Sequence, residues 1–281
     1  MKPKGFEYLR AHSVEQALDS LASNGDDAKI ISGGNSLMAM LNFRLLEPKV
    51  LIDISRLEAL SGIEYKGDYL EVGAAATQAQ LQAWPGLAER MPLLALAVPH
   101  IGHFQTRSKG TVCGSIAHSD PSSELPLCLA LLGGSVVLRS KRGEKVLKAA
   151  DFQLGMLSTA CADDEMVVAV RFPVKRQGAG YAFTEVARRK GDFAIIAIAA
   201  EAVGGTIRLG IGGVADKPAV REWSDLATDA LDDKLNELAW ELGGNDDIHA
   251  SAKYRRQLVR RLGREVIETA QENGVAVKET N

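Results

Sequence analysis

Two glycine-centred stretches carry the side chains best suited to chemistry. The first is Ser32-Gly33-Gly34-Asn35-Ser36-Leu37, set between the β-branched run Lys29-Ile30-Ile31 and an apolar segment that reads as a helix. Consecutive glycines let successive backbone N–H groups turn into one concavity, which suits the oxygens of a diphosphate. Asn35 and Ser36 add side-chain donors, and a helix opening at Leu37 presents its positive end. A tight strand-to-helix turn without a ligand would use the same residues. The second stretch runs from Arg107 to Pro121 through Gly110-Thr111-Val112-Cys113-Gly114-Ser115 and His118-Ser119-Asp120. Small residues alternate there with hydroxyl and amide donors, and there is little apolar bulk to bury. It reads as a second phosphate- or ribityl-binding loop, or else as an irregular surface loop. Two anion-binding loops about eighty residues apart suit a ligand with a diphosphate in its middle.

Other motifs dissolve on inspection. Gly210-Ile211-Gly212-Gly213-Val214-Ala215 matches the G-x-G-x-x-A dinucleotide fingerprint, but Asp216-Lys217-Pro218 opens no helix behind it. Gly34-Asn35-Ser36-Leu37-Met38 lacks the last glycine of a nucleophile elbow. His100 and His103 have the i, i+3 spacing of metal ligands on a helix. Pro99 and Gly102 break that helix and no third ligand is evident, so the two face solvent or a cofactor edge. The pairs Arg255-Arg256 and Arg260-Arg261 read as a solvated face or a partner-facing rim.

The elements that must position these stretches alternate in the first part of the chain. Ser13 with Gln16, and Thr77 with Gln80, read as capping boxes that open helices. Residues 50–54, 69–72 and 166–172 read as strands, and 136–139 with 145–147 as a hairpin across Lys141-Arg142-Gly143. The stretch 175–180 reads as a linker. Beyond it come three strand-like runs, 181–187, 194–203 and 206–211, then helical patterns at about 224–242 and 250–273. These patterns place a domain boundary near residue 177, with domains 1–177 and 178–281.

Composition narrows the classes of function. The chain has 281 residues, 46% of them hydrophobic, and 33 basic against 36 acidic side chains give a net charge of −3. That balance excludes a nucleic-acid binder, which needs a basic excess. No apolar run approaches the roughly 20 residues of a membrane span, and the start MKPKGFEYLR lacks a signal peptide's apolar stretch. Three scattered cysteines support neither a disulfide framework nor a Cys-ligated cluster. The expectation is a cytoplasmic protein.

Four segments together carry a resemblance: IISGGNSLMAMLNFRLLEPKVLIDIS from Ile30, PHIGHFQTRSKGTVCGSIAHSDPSSELP from Pro99, AFTEVARRKGDFAI from Ala182 and IRLGIGGVADKP from Ile207. They span nearly the whole chain in order. The sequence resembles the FAD-binding medium subunit of molybdenum hydroxylases, the xanthine dehydrogenase and carbon monoxide dehydrogenase family. The resemblance implies an α+β protein. Its FAD-binding domain would be of the vanillyl-alcohol-oxidase-like (PCMH) type with two subdomains, and its C-terminal domain a three-stranded sheet with helices. It implies that FAD is held by Ile30, Ile31, Ser32, Gly33, Gly34, Asn35, Ser36 and Leu37 on one side and by Thr111, Val112, Gly114 and Ser115 on the other. Ile101 would lie near the isoalloxazine, with His103 and Asp120 as further cofactor contacts. Glu124 falls where relatives carry an acidic FAD ligand, Val167 at an apolar position against the cofactor, and Lys190 toward the flavin's electron-rich edge. Four positions depart from the family pattern: Ser32 stands for Ala, Asn35 for Gln or His, Cys113 for Gly, and Thr184 for a Lys of some relatives.

The resemblance also implies an electron-transfer subunit with no catalytic residue of its own and no metal site. A large molybdopterin-binding subunit and a small subunit with 2Fe–2S clusters would be its partners, in a dimer of heterotrimers. A self-contained FAD-dependent oxidase or reductase and a non-catalytic bridging scaffold stand beside that reading.

Overall fold

The computed structural model describes residues 2–279. Three parallel strands come first, β1 (Glu7–Arg10), β2 (Ala28–Ile31) and β3 (Val50–Asp53), in the order β1-β3-β2. Helix α1 (Val14–Asn24) connects β1 to β2, and α2 (Asn35–Asn42) connects β2 to β3. Ser13 Oγ caps α1 by accepting from the N–H of Gln16, while the Gln16 side chain accepts from the N–H of His12. The reciprocal bond thus falls one residue before the position a capping box would give it. Val14, Ala17, Leu18 and Leu21 form the buried stripe that holds α1 on the sheet.

The chain then makes β4 (Ile63–Lys66) and β5 (Tyr69–Gly73), followed by six short helices: α3 (Gln78–Gln82), α4 (Leu87–Arg90), α5 (Pro92–Ala97), α6 (Phe104–Lys109), α7 (Val112–His118) and α8 (Glu124–Leu132). The hairpin of β6 (Ser135–Ser140) and β7 (Gly143–Lys148) comes next, then α9 (Ala149–Phe152), the small pair β8 (Gln153–Gly155) and β9 (Ser158–Thr159), and β10 (Met166–Pro173). The second sheet is antiparallel with order β4-β5-β10-β6-β7.

The third sheet, β11 (Gly180–Val186), β12 (Ile196–Val203), β13 (Thr206–Gly212) and β14 (Ala219–Ser224), is antiparallel in chain order. It has four strands where three were expected. The edge strand β14, AVREWS, is half exposed and follows Pro218, so it offered no apolar run to read. Helix α11 (Ala252–Glu279) packs on the sheet and α10 (Leu231–Leu242) packs against α11; the helix expected from residue 224 starts seven residues later. Helices α5 and α8 also contact it. Enclosure explains two sequences: β12 is buried along almost its whole length, and α8 is apolar on nearly all sides. The fingerprint-like glycines belong to this packing, since a Cβ at Gly210 would lie 2.9 Å from Leu127 Cδ1 on α8. Arg255 corrects another expectation. It is buried and donates to the carbonyls of Ile195, Asn245 and Ala250 and to Asp247.

The stretch after β10 is pinned. Arg176 donates from Nε to Glu201 Oε1 at 2.9 Å and pairs with Oε2 at 2.5 Å. The Tyr181 hydroxyl donates to the same carboxylate at 2.8 Å. The first hydrophobic core also runs past residue 177, taking in Ala179, Tyr181, Ala194, Ala197 and Ala199.

Candidate functional site

The β2–α2 turn is built by Gly34, whose φ of +76° lets the strand swing into the helix. Ser32 Oγ anchors the turn on the Ala74 carbonyl, 3.2 Å away. Among the described residues, the backbone N–H groups from Ser32 to Leu37 donate to no protein oxygen. All but Asn35 are half-buried and Asn35 is exposed, so the row is accessible. Such a row at a helix start favours an anion.

The second stretch lies against the first. A Cβ at Gly33 would clash with the Lys109 carbonyl oxygen and sit 2.8 Å from Gly110 Cα. Asn35 Nδ2 donates to the Thr106 carbonyl at 2.9 Å, so this amide ties the turn to α6. Residues 76–78 stand beside both: Gln78 N–H donates to Gly110 O, and Val112 N–H donates to Ala76 O. What read as a loop is therefore two short helices, α6 and α7, with Thr111 as the N-cap of α7 and its Oγ1 accepting from Gly114 N–H. Val112 and Gly114 have thus committed their N–H groups within the chain. Those of Thr111 and Cys113 donate to no protein oxygen among the described residues. Ser115 is half-buried on the first turn of α7. The Cys113 side chain raises no obstacle, because it turns into the core with Sγ 3.3 Å from the Val72 carbonyl. Burial pushes its thiol well up.

The remaining expected residues are held in different ways. Ile30 packs partly buried on the core side of β2, and Ile31 ends that strand beside Gly34. Ile101 is only 8% exposed and closes the short turn Val98–His100. His103 is exposed as the N-cap of α6, and its ring lies where a Cβ of Gly191 would fall. Val167 is buried on β10 at the bulge that interrupts pairing with β6. Asp120 Oδ1 accepts from Ser122 N–H in the turn before α8. Glu124 opens α8 buried, and removal from water pushes its carboxyl up to about 8, with Glu185 and Asp120 adding to the rise. Lys190 is exposed in the turn after β11 and is not drawn into the junction.

Three residues to which the sequence had given no individual role emerge. Arg107 donates to Gln82 and to the carbonyls of Ile101 and Gly102, fixing the backbone that presents Ile101. Gln78 is buried with an unpartnered Oε1 beside Gly110. Glu185 on β11 lies against His100. Gln78 stood within a recognised capping box, but its burial depends on distant contacts that local spacing does not encode.

An accessible row of strand-to-helix amides, set against a second capped helix start, defines a protein built to grip a diphosphate-bearing cofactor. The family model described as the FAD binding domain in molybdopterin dehydrogenase matches residues 4–175, and the chain belongs to this family as an FAD-binding medium subunit of the molybdenum hydroxylase type. It is 36% identical over 279 residues to the nicotine 6-hydroxylase medium subunit of Paenarthrobacter nicotinovorans, covering 95% of this chain and 98% of that one. A solved carbon monoxide dehydrogenase from Hydrogenophaga pseudoflava superposes with a TM-score of 0.91 at 29% identity, covering 97% of this chain and 99% of that chain. Quinoline 2-oxidoreductase from Pseudomonas putida 86 superposes with a TM-score of 0.89 at 30% identity, covering 98% and 99%. The donor set fits FAD: its free amides suit a diphosphate, and the half-buried frame suits a bound ring system.

Proposed function

We propose that this chain carries electrons between partner subunits and an external acceptor. Electrons from a molybdopterin-centred oxidation on a large subunit would pass through the 2Fe–2S clusters of a small subunit to FAD held here. The reading extends to a dimer of heterotrimers in the cytoplasm and to a division of the chain into an FAD-binding domain, 1–177, and a C-terminal domain, 178–281. The observation that carries it is the row of uncommitted amides from Ser32 to Leu37 beside the α7 start, in a chain similar over its length to medium subunits. The named relatives act with nicotine, carbon monoxide and quinoline, which supports a substrate choice made on another chain.

Bound FAD would supply a carrier able to accept electrons singly and hand on two. The protein's share is binding and exclusion. The amides of Ser32 to Leu37, with those of Thr111 and Cys113, would hold the diphosphate. Ser36, Ser115 and Asp120 offer hydrogen bonds near it, and Glu124 would accept from a hydroxyl of the cofactor. Ile101, Val167 and His103 would border the ring and limit water, and Lys190 would lend a positive charge from the rim. The test is anaerobic mixing of the FAD-loaded chain with a reduced iron–sulfur partner subunit. Bleaching of the visible flavin band at the rate of cluster reoxidation is expected. A flavin that stays oxidised would overturn the assignment, as would robust oxidation of an organic substrate by this chain alone.

A further inference from the structure

We infer that Glu185 is a proton-exchanging residue of this subunit, reached from solvent through the imidazole of His100. The inference rests on the FAD reading above. His100 ends the turn that leads directly into Ile101, and Glu185 lies near the end of β11. His100 Nδ1 is 3.2 Å from Glu185 Oε1, and the ring also leans on Phe183 with centroids 5.2 Å apart. The two partners differ sharply in exposure, 41% for the His100 side chain and 7% for that of Glu185.

A structural ion pair buried this far normally satisfies every oxygen. Here Glu185 Oε2 is buried without a partner. The groups around it favour a proton more than a charge. A second carboxyl stands near, since Glu185 and Asp120 both raise that of Glu124 at the start of α8. Its cross-strand neighbour on β12 is Ala197, and His100 is the one basic group acting on it among the described residues. Burial raises the Glu185 carboxyl, partly offset by His100.

Two electrons entering a flavin draw in at least one proton. On this reading the electrons come from the partner's clusters and the proton from water. Glu185 would give up its own proton as the flavin takes on charge; His100 would then take a proton from water on its exposed edge and release the one on Nδ1 to the Glu185 carboxylate left behind, so that no charge accumulates on the imidazole.

The experiment uses the full chain, with Glu185→Gln and His100→Gln as variants. In flavin-free protein, the protonated-carboxyl infrared signal that titrates on raising pH should lose its Glu185 component in Glu185→Gln and keep that of Glu124, which Glu124→Gln identifies; an undiminished signal in Glu185→Gln would overturn the inference. In FAD-loaded protein, flavin midpoint potential against pH should show a break in slope that Glu185→Gln removes, since an isosteric amide keeps the packing but not the proton. His100→Gln should keep the break but slow proton uptake after flash reduction by about 100-fold. An unchanged break in Glu185→Gln would overturn the inference alone, whereas failure of the native chain to bind FAD would overturn the reading beneath it.

Discussion

Glu124 gives the most quantitative test. Its side chain opens α8 only 7% exposed, and desolvation lifts its carboxyl from 4.5 to about 8. The folded state therefore holds this proton more tightly than the unfolded chain does. The stability it brings is complete below about pH 4.5 and is lost as pH rises through about 8. At 1.36 kcal/mol per pH unit the loss is about 3 kcal/mol at pH 7 and approaches about 5 kcal/mol above pH 8. Relaxation of the first turn of α8 and access of water bring the measured figure nearer to about 2–4 kcal/mol. Glu124→Gln removes the titration while preserving shape. Urea unfolding of the flavin-free proteins at pH 5 and pH 8 reads the effect directly. The two proteins should agree within about 1 kcal/mol at pH 5, and at pH 8 the variant should be more stable by about 2–4 kcal/mol. Glu185 is present in both and cancels to first order. Parallel stability curves across this range would refute the reasoning, because a carboxyl that titrated normally would give no divergence.

Gly33→Val should cost both FAD occupancy and melting temperature, since its side chain would strike the Lys109–Gly110 backbone; full flavin content with an unchanged melt would refute that close approach. Arg107→Gln should release the Ile101 and Gly102 carbonyls, lowering stability by about 2–3 kcal/mol and FAD affinity by about tenfold, as read by urea unfolding and flavin titration. Arg176→Met should destabilise the chain by about 2–4 kcal/mol at pH 7. It leaves the buried Glu201 carboxylate with Tyr181 and a more distant Arg208. The same unfolding measurement at pH 4 should recover part of the loss, because protonation of Glu201 lessens its need for a cation.

Much of the frame was legible because its signals are local. The Ser13 and Thr77 caps, the β6–β7 hairpin and the apolar runs of β10, β12 and β13 fall close to where spacing placed them. Glu7–Arg10 escaped reading because its burial pattern does not alternate, and β14 because it is a half-exposed edge. The segment 104–118 looked irregular because it is rich in small and polar residues, yet Thr111 supplies the cap that makes α7 possible. At the site, the strand-to-helix turn was visible in the glycine pair. The reason for Gly33 was not, because it lies in residues 109 and 110, far along the chain. The His100–Glu185 contact has the same character: neither residue has a neighbour in sequence that signals the other.

The Arg176–Glu201 clamp bears on how such chains can be recombined. The family match ends at residue 175, one position before the guanidinium that neutralises a carboxylate on β12. A graft joined at that edge would inherit the anion from one parent and depend on the other for its counterion. Exchange of halves between relatives should succeed only where both partners travel together or vanish together.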